Sequence, residues 1–483
     1  MADLKTLDSF PPKRKVLDKT WNDNAKEFVK GLSAISQATW TKPVKNQSIL
    51  GVLNPTTNTL PYIYALNAHA AAIGKDKGRV EEWLDSATIF LASFDPVQMR
   101  YADEQWASLI DTVFTLCSQL RIRDLTPIVT AMLRLDPTGG TFTTNHLKLV
   151  RGCLDNASPS QALPLLEKDI YAFPQKPPKN LSDELLNEDS DFSHHYITEG
   201  SGFAGKTKLE HVLEYYLLGA HIFIGLRKYS RARLFLEYIL LAPSPGHGCS
   251  ALQMEAYKKW ILLGLLSNGR RFPLPRTHDS QVMKSIRATS KAYEALAEDF
   301  EKRDYLKFHA EAQTGHPMWT DEGNERLVKE AHDALFRFRV IDLQKTYAAL
   351  PVSRVAMLLN LQADTAPQVL SDMIRAGQLN ASITPSSSGD AVLRFHPTSP
   401  ASSVSQDDSL EAQTKRIESL VAFVKDADRR LRLSTEYVTY ERRTKRSGMG
   451  PDGDLAEQMD LTWDAPIAGV RDDDDSGDED IMS

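Results

Sequence analysis

Cysteine is scarce in this chain. Cys117, Cys153 and Cys249 are its only three. They are far apart and odd in number, which supplies neither a disulfide framework nor a zinc-ligand cluster and suits a reducing intracellular compartment. Long apolar runs are also missing. The richest stretches, around 215–226 and 233–242, carry charges or fall short of the roughly 20 apolar residues that a membrane span needs. Met1–Pro12 lacks the apolar centre of a signal peptide. The 12 histidines are scattered; they, His211 and His221 among them, read as helix-face residues rather than ligands. No metal and no cofactor is expected.

Basic charge is in deficit, but only locally. The net charge is −7; residues 451–483 hold twelve acidic residues against one basic, Arg471, so this tail carries −11 and the rest of the chain +4. A near-neutral body gives no general case for nucleic-acid binding. The short run Pro12-Lys13-Arg14-Lys15-Val16 suits an import receptor, which predicts residence in the nucleus as well as the cytoplasm. Within the tail, Ser476 stands among acids and is a candidate phosphorylation site for an acid-directed kinase. The basic runs at 429–432 and 442–446 read as a solvated helix face.

What the chain has in quantity is helical periodicity. Trp106, Leu109, Ile110, Val113, Cys117 and Leu120 recur at steps of three and four, and Leu125, Ile128, Val129, Met132 and Leu133 repeat the pattern. The most regular pair is Leu209, Val212, Leu213, Tyr216, Leu217 and Ala220, followed by Ala232, Phe235, Leu236, Ile239 and Leu240. Its Leu218-Gly219…Ala232…Phe235…Pro243 spacing resembles a tetratricopeptide repeat, with Gly219 letting two helices approach closely. Further helices are expected from near Ser250, Ser280 and Asn324. Short helices joined by tight turns bury each apolar stripe on the next pair, so the fold class is mostly α, a solenoid of stacked hairpins.

Residues 336–396 change character. Phe336, Val340, Leu343 and Tyr347 predict a first helix stopped by Pro351. Ser353 caps a second, and Thr365 caps a third that turns Val369, Leu370, Met373 and Ile374 inward. Leu379–Ile383 and Ala391–Phe395 then read as a hairpin. Three small helices and a hairpin make a winged helix. Its third helix offers only Gln368, Asp372 and Arg375 as polar or basic readers, too few for DNA recognition. A last helix follows, with Ile417, Val424 and Leu431 seven apart and Leu420 between them, a pattern that wants a bundle partner. The chain thus divides into a weakly structured arm (1–50), helical repeats (51–171), a long surface loop (172–207), further helices (208–335), the winged helix (336–396), a linker (397–408), a terminal bundle helix (409–446) and a disordered acidic tail (447–483).

One motif points elsewhere. Gly200-Ser201-Gly202-Phe203-Ala204-Gly205-Lys206-Thr207 satisfies the phosphate-cradling pattern G-x-x-x-x-G-K-T. The residues before it are mostly polar and the flanking chain is helical, without the strand–loop–helix context such a loop requires. A flexible loop entering a helix is the reading preferred.

The order of hairpins, winged helix and terminal helix, with Ser353, Val355, Ala356, Leu359, Val369, Met373, Ile374, Gly377, Leu379, Ala381 and Ile383 in register, resembles the PCI family, whose members build the proteasome lid, the signalosome and a translation initiation factor. Tyr215–Ala220, Gly225–Tyr229, Arg231-Ala232 and Glu255–Ile261 narrow the likeness to the signalosome's third-subunit branch of that family. The resemblance implies a non-catalytic scaffold in a hetero-oligomer of PCI and MPN subunits. That complex removes the ubiquitin-like NEDD8 from cullin–RING ligases through a zinc metalloprotease subunit of another fold. The metalloprotease's His-x-His motif does not occur here. The resemblance further implies that the winged-helix strands, with Ile383, Val392, Leu393 and Phe395, and the terminal helix, with Ile417, Leu420, Val424 and Leu431, meet sister subunits. A PCI subunit of another assembly, such as the lid, an initiation complex or a messenger-RNA export complex, is the alternative. No membrane or nucleic-acid partner is implied.

Overall fold

The computed structural model describes residues 19–43, 47–72, 77–176, 186, 193–244, 248–359, 366–375, 377, 379–385, 391–396 and scattered helical residues between 414 and 428. The chain divides into two compact units, Met1–Thr398 and Ser399–Ser483.

The first unit opens with α1 (Lys19–Ser33), α2 (Gln37–Trp40), α3 (Ile49–Val52), α4 (Thr59–Ala72), α5 (Lys77–Ser93) and α6 (Pro96–Met99). The first two lie where a weakly structured arm was expected. Many residues of α1 are polar, but Trp21, Ala25, Phe28, Val29 and Leu32 fall on one helix face; Trp21, Ala25 and Leu32 are buried, and Trp40 joins the core from α2. Trp21 meets Tyr101 edge-on at 5.6 Å. Phe28 and Val29 also pack on the core, so an apolar stripe at steps of three and four, anchored by an aromatic ring, fixes this segment.

The stack continues through α7 (Asp103–Leu120), α8 (Thr126–Leu135), α9 (Thr144–Asp155), α10 (Leu163–Leu166), α11 (Leu209–Gly225), α12 (Tyr229–Leu240) and α13 (Ala251–Asn268). The stripe Trp106, Leu109, Ile110, Val113 and Cys117 is buried, as are Ile128, Val129 and Met132. In the most regular pair Val212, Leu213, Tyr216, Leu217 and Ala220 face Ala232, Phe235, Leu236, Ile239 and Leu240, all buried, while Leu209 at the helix start stays exposed. A Cβ on Gly219 would sit 2.7 Å from the Phe235 ring and 3.0 Å from Leu166. Only glycine admits that approach. Ser250 caps α13 by accepting from Gln253 N, and the Gln253 side chain accepts from Ser250 N at 3.0 Å, a reciprocal cap.

Then come α14 (Ser280–Thr289), α15 (Lys291–Glu301), α16 (Tyr305–Thr314), α17 (His316–Asp321) and α18 (Glu325–Gln344). Helix α18 serves two cores. Val328, Ala331, Ala334 and Leu335 complete the core of the repeats, and Val340 opens a separate one with Leu350, Val355, Leu359, Leu370, Met373, Leu393 and Phe395. The separate first helix expected from Phe336 is therefore the last part of α18, continuous with the repeats.

The second core belongs to β1 (Ala349–Pro351), α19 (Val352–Leu359), α20 (Ala366–Arg375), β2 (Ala381–Pro385) and β3 (Ala391–Phe395). The sheet has the order β1-β3-β2, all antiparallel. Ile383 stands opposite Leu393 and Ala381 opposite Phe395. The expected hairpin is present; β1 is a third strand that a proline-ended tripeptide did not announce.

Candidate assembly surface

The three-stranded order decides which backbone is open. Strand β3 lies between β1 and β2, so both of its margins are already paired. Leu393 is fully buried and Phe395 is buried beside it, while Val392 and Ile383 are half-buried. Of the strand residues expected to meet a sister chain, Leu393 and Phe395 hold this chain's own core instead, and Val392 sits on a strand with no free edge. The reason is β1, which fills the side of β3 that a two-strand hairpin would leave open. Ile383 remains on β2, whose outer margin has no strand beside it among the described residues. An unpaired margin offers its peptide groups to an added strand. Nearby on the same module, Met357 and Leu358 of α19 are exposed apolar side chains.

The second unit presents a different surface. Ile417, Leu420, Val421 and Val424 are helical residues, 61%, 56%, 47% and 63% exposed. Their spacing places them on one face, a stripe of apolar side chains in water. Leu431, Ser476, the 12–16 basic run and both later basic runs lie outside the described residues.

The 200–207 segment is not a phosphate cradle. A 3-10 turn, Ser193–His195, stands where the motif demands a strand. Gly202 N donates to the Asp103 carboxylate at 2.7 Å, so a protein anion already takes that donor. A Cβ on Gly202 would lie 2.5 Å from the Asp103 carbonyl oxygen. Ala204 O accepts from Thr144 N at 3.1 Å, and Phe203 and Ala204 are buried. Gly202 and Gly205 serve close packing of a strap on α7 and α9. Lys206 points to solvent.

The same contacts revise the surface-loop reading for 193–204. Ser193 Oγ donates to Asp136 Oδ2 at 2.6 Å, and Tyr196 OH donates to Leu135 O at 2.6 Å. The Arg100 guanidinium covers the Tyr196 ring at 4.1 Å. Asp136 is buried and also accepts from Thr138 N and Gly139 N at 3.1 and 3.0 Å. With Thr138 Oγ1 at 2.7 Å and Thr141 N at 3.3 Å, five donors satisfy a carboxylate that would otherwise be costly inside the core. His146, beside it, accepts from Thr143 N at Nδ1, and burial pushes its pKa down to about 4 despite the nearby Asp136 charge.

A polar seam joins the repeats to α18. Arg227 pairs with Glu330 (Nη2 to Oε1, 2.7 Å), Lys258 with Glu322 at 2.5 Å, and the buried Lys259 donates to Asn324 Oδ1 at 2.9 Å. Glu255, approached by His221 at 3.5 Å and Lys259 at 3.1 Å, is held down to about 2, chiefly by His221 and then by Lys259. Each cation here faces an acid, the arrangement of a load-sharing interface between helices.

Set beside known proteins, the chain matches two family descriptions. Residues 22–283 match the N-terminal helical repeats of COP9 signalosome complex subunit 3, and residues 312–388 match the PCI domain. Among individual proteins it is similar to COP9 signalosome complex subunit 3 of Emericella nidulans, 29% identical over 350 residues, 70% of each chain. The namesake of Neurospora crassa is 26% identical over 460 residues, 91% of each. That of Arabidopsis thaliana is 25% identical over 361 residues, 73% of this chain and 74% of the relative.

Proposed function

Since the chain belongs to the COP9 signalosome subunit 3 family and carries a PCI domain, we propose that it is a non-catalytic scaffold of the COP9 signalosome, the complex that removes NEDD8 from cullin–RING ligases. The single observation carrying this reading is the terminal apolar stripe of Ile417, Leu420, Val421 and Val424, left in water by the chain itself. A monomer gains nothing from such a stripe, whereas a helical bundle shared with sister subunits buries it. The outer margin of β2 supplies a second, backbone-based contact. The chain has no assigned chemistry: the isopeptidase step belongs to an MPN-type zinc subunit, and this chain holds subunits in place. It works in cytoplasm and nucleus, the latter reached through the 12–16 basic run.

Affinity purification of the full chain from its native cells, followed by mass spectrometry, tests the reading. Signalosome PCI and MPN subunits should co-purify in near-equal amounts, and depletion of the chain should raise the NEDD8-modified fraction of cullins. Recovery of proteasome-lid, initiation-factor or export partners instead, with cullin modification unchanged, would refute it.

A further inference from the structure

The histidines that look scattered in sequence do not all stay apart in space. His309 on α16 and His332 on α18 are 23 residues apart in the chain, yet His309 Nδ1 lies 3.3 Å from His332 Nε2. The other ring nitrogens are also engaged. His309 Nε2 meets the Gln313 amide at 2.9 Å, and His332 Nδ1 faces Asp333 Oδ1 at 3.7 Å. Tyr305 lies against both rings, with centroids 6.1 Å from His309 and 4.9 Å from His332. Helix backbones therefore fix where the two rings start, and Tyr305, Gln313 and Asp333 fix how they turn.

We propose that His309 and His332 form a two-imidazole site for a borderline divalent transition-metal cation, zinc or copper in class, that clips α16 to α18. Two nitrogens bound to one tetrahedral ion at 2.0–2.1 Å stand about 3.3 Å apart, the separation now held by a ring-to-ring hydrogen bond whose proton the ion would replace. The surroundings match the usual outer shell of such sites, where the far ring nitrogen of a ligating histidine donates to a carboxylate or carbonyl oxygen. Asp333 takes that role for His332 once its carboxylate closes from 3.7 Å to hydrogen-bond distance. Gln313 takes it for His309 once its amide turns to present Oε1. His309 then carries its proton on Nε2 and frees Nδ1; the proton moves between nitrogens of one ring and none is lost. Among the described residues no cluster of three or more His, Cys, Asp or Glu stands ready for a metal. The remaining positions on the ion accordingly fall to water or to a neighbouring chain. Imidazole nitrogens bind copper more tightly than zinc and disfavour hard ions such as magnesium. The clip would bear on a junction, because α18 carries both Leu335 of the repeat core and Val340 of the winged-helix core.

The test uses the full chain and the metal alone. Calorimetric titration with zinc chloride should show one site in the parent, weakened at least about tenfold in both His309→Ala and His332→Ala. One equivalent of copper(II) should give an electron paramagnetic resonance spectrum with hyperfine structure from two nitrogens, reduced in each variant. This readout separates the pair from the acidic tail, which offers oxygen alone. Because His309 is exposed, the His309→Ala protein should melt like the metal-free parent. Zinc affinity and copper spectra unchanged in both variants, or no zinc binding by the parent up to about 1 mM, would overturn the site.

Discussion

His146 occupies the third position of α9, where its Nδ1 accepts from Thr143 N at 3.1 Å and caps the helix. It packs on Phe142 and Tyr215, with centroids 5.6 and 5.9 Å away. Burial holds its pKa near 4, below the ordinary 6.5. As pH falls, the unfolded chain takes the proton first. The contribution of the neutral ring is complete above about 6.5 and disappears as pH falls through about 4. Between pH 7 and 5 this single ring accounts for about 2 kcal/mol of lost stability. Gln is an ordinary capping-box residue at this position, so His146→Gln should keep the cap and remove the titration. Urea denaturation at the two pH values should show the parent losing about 2 kcal/mol more than the variant; equal losses would mean the ring is not buried neutral. No residue-level signal announced this histidine: its role depends on Asp136 and on a strap more than forty residues downstream. The Gly200–Thr207 motif, set aside as a phosphate loop for want of a strand before it, packs for reasons its spacing does not show. Its glycines answer to Asp103 and Thr144, neighbours that spacing cannot name.

At the scale of elements, periodicity reads well wherever one helix buries one stripe. The α7, α8, α11 and α12 stripes were legible, and so was the demand placed on Gly219. That glycine brings α11 within contact of Phe235 and Leu166. Gly219→Val inserts two methyls beyond a Cβ that is itself too close, and overpacking of this kind costs about 1–3 kcal/mol. A fall in thermal midpoint, with helix content by circular dichroism retained at low temperature, is the expected result; an unchanged midpoint would show that the two helices stand further apart. Elements made by long-range pairing were less legible. Ala349–Pro351 has no alternation and ends in proline, which reads as a stop; it becomes β1 only because β3 lies beside it with Leu350 opposite Leu393. That pairing moves the open edges from β3 to the outer margins of β1 and β2, and of these β2, with five residues and Ile383, is the longer. Helix α1 was legible too, in the helical spacing of Trp21, Ala25, Phe28, Val29 and Leu32, although its polar neighbours made the segment look like an arm.

At the scale of the whole molecule, the two units face different demands. Met1–Thr398 holds the large core of the repeats and the smaller one of the winged helix, while leaving single apolar side chains such as Ile89, Leu306 and Met357 exposed. The described helical residues of Ser399–Ser483 belong to neither core and expose an apolar face. Folding of the first unit should therefore be indifferent to that face, and assembly should depend on it. Leu420→Asp with Val424→Asp tests the separation. Surface substitutions shift stability by about 0.5 kcal/mol or less, so the melting of the isolated chain should hardly move. Burying two such side chains in a bundle contributes about 1.5–3 kcal/mol each, and two aspartates in their place add a desolvation cost. Incorporation into the complex, followed by native mass spectrometry of reconstituted subunits, should fall roughly a hundredfold or more in apparent affinity. Isolated melting unchanged together with normal incorporation would show that the exposed stripe is not the docking face, leaving the β2 margin to carry assembly alone. Melting that collapses in the isolated chain would show instead that the stripe packs within the chain.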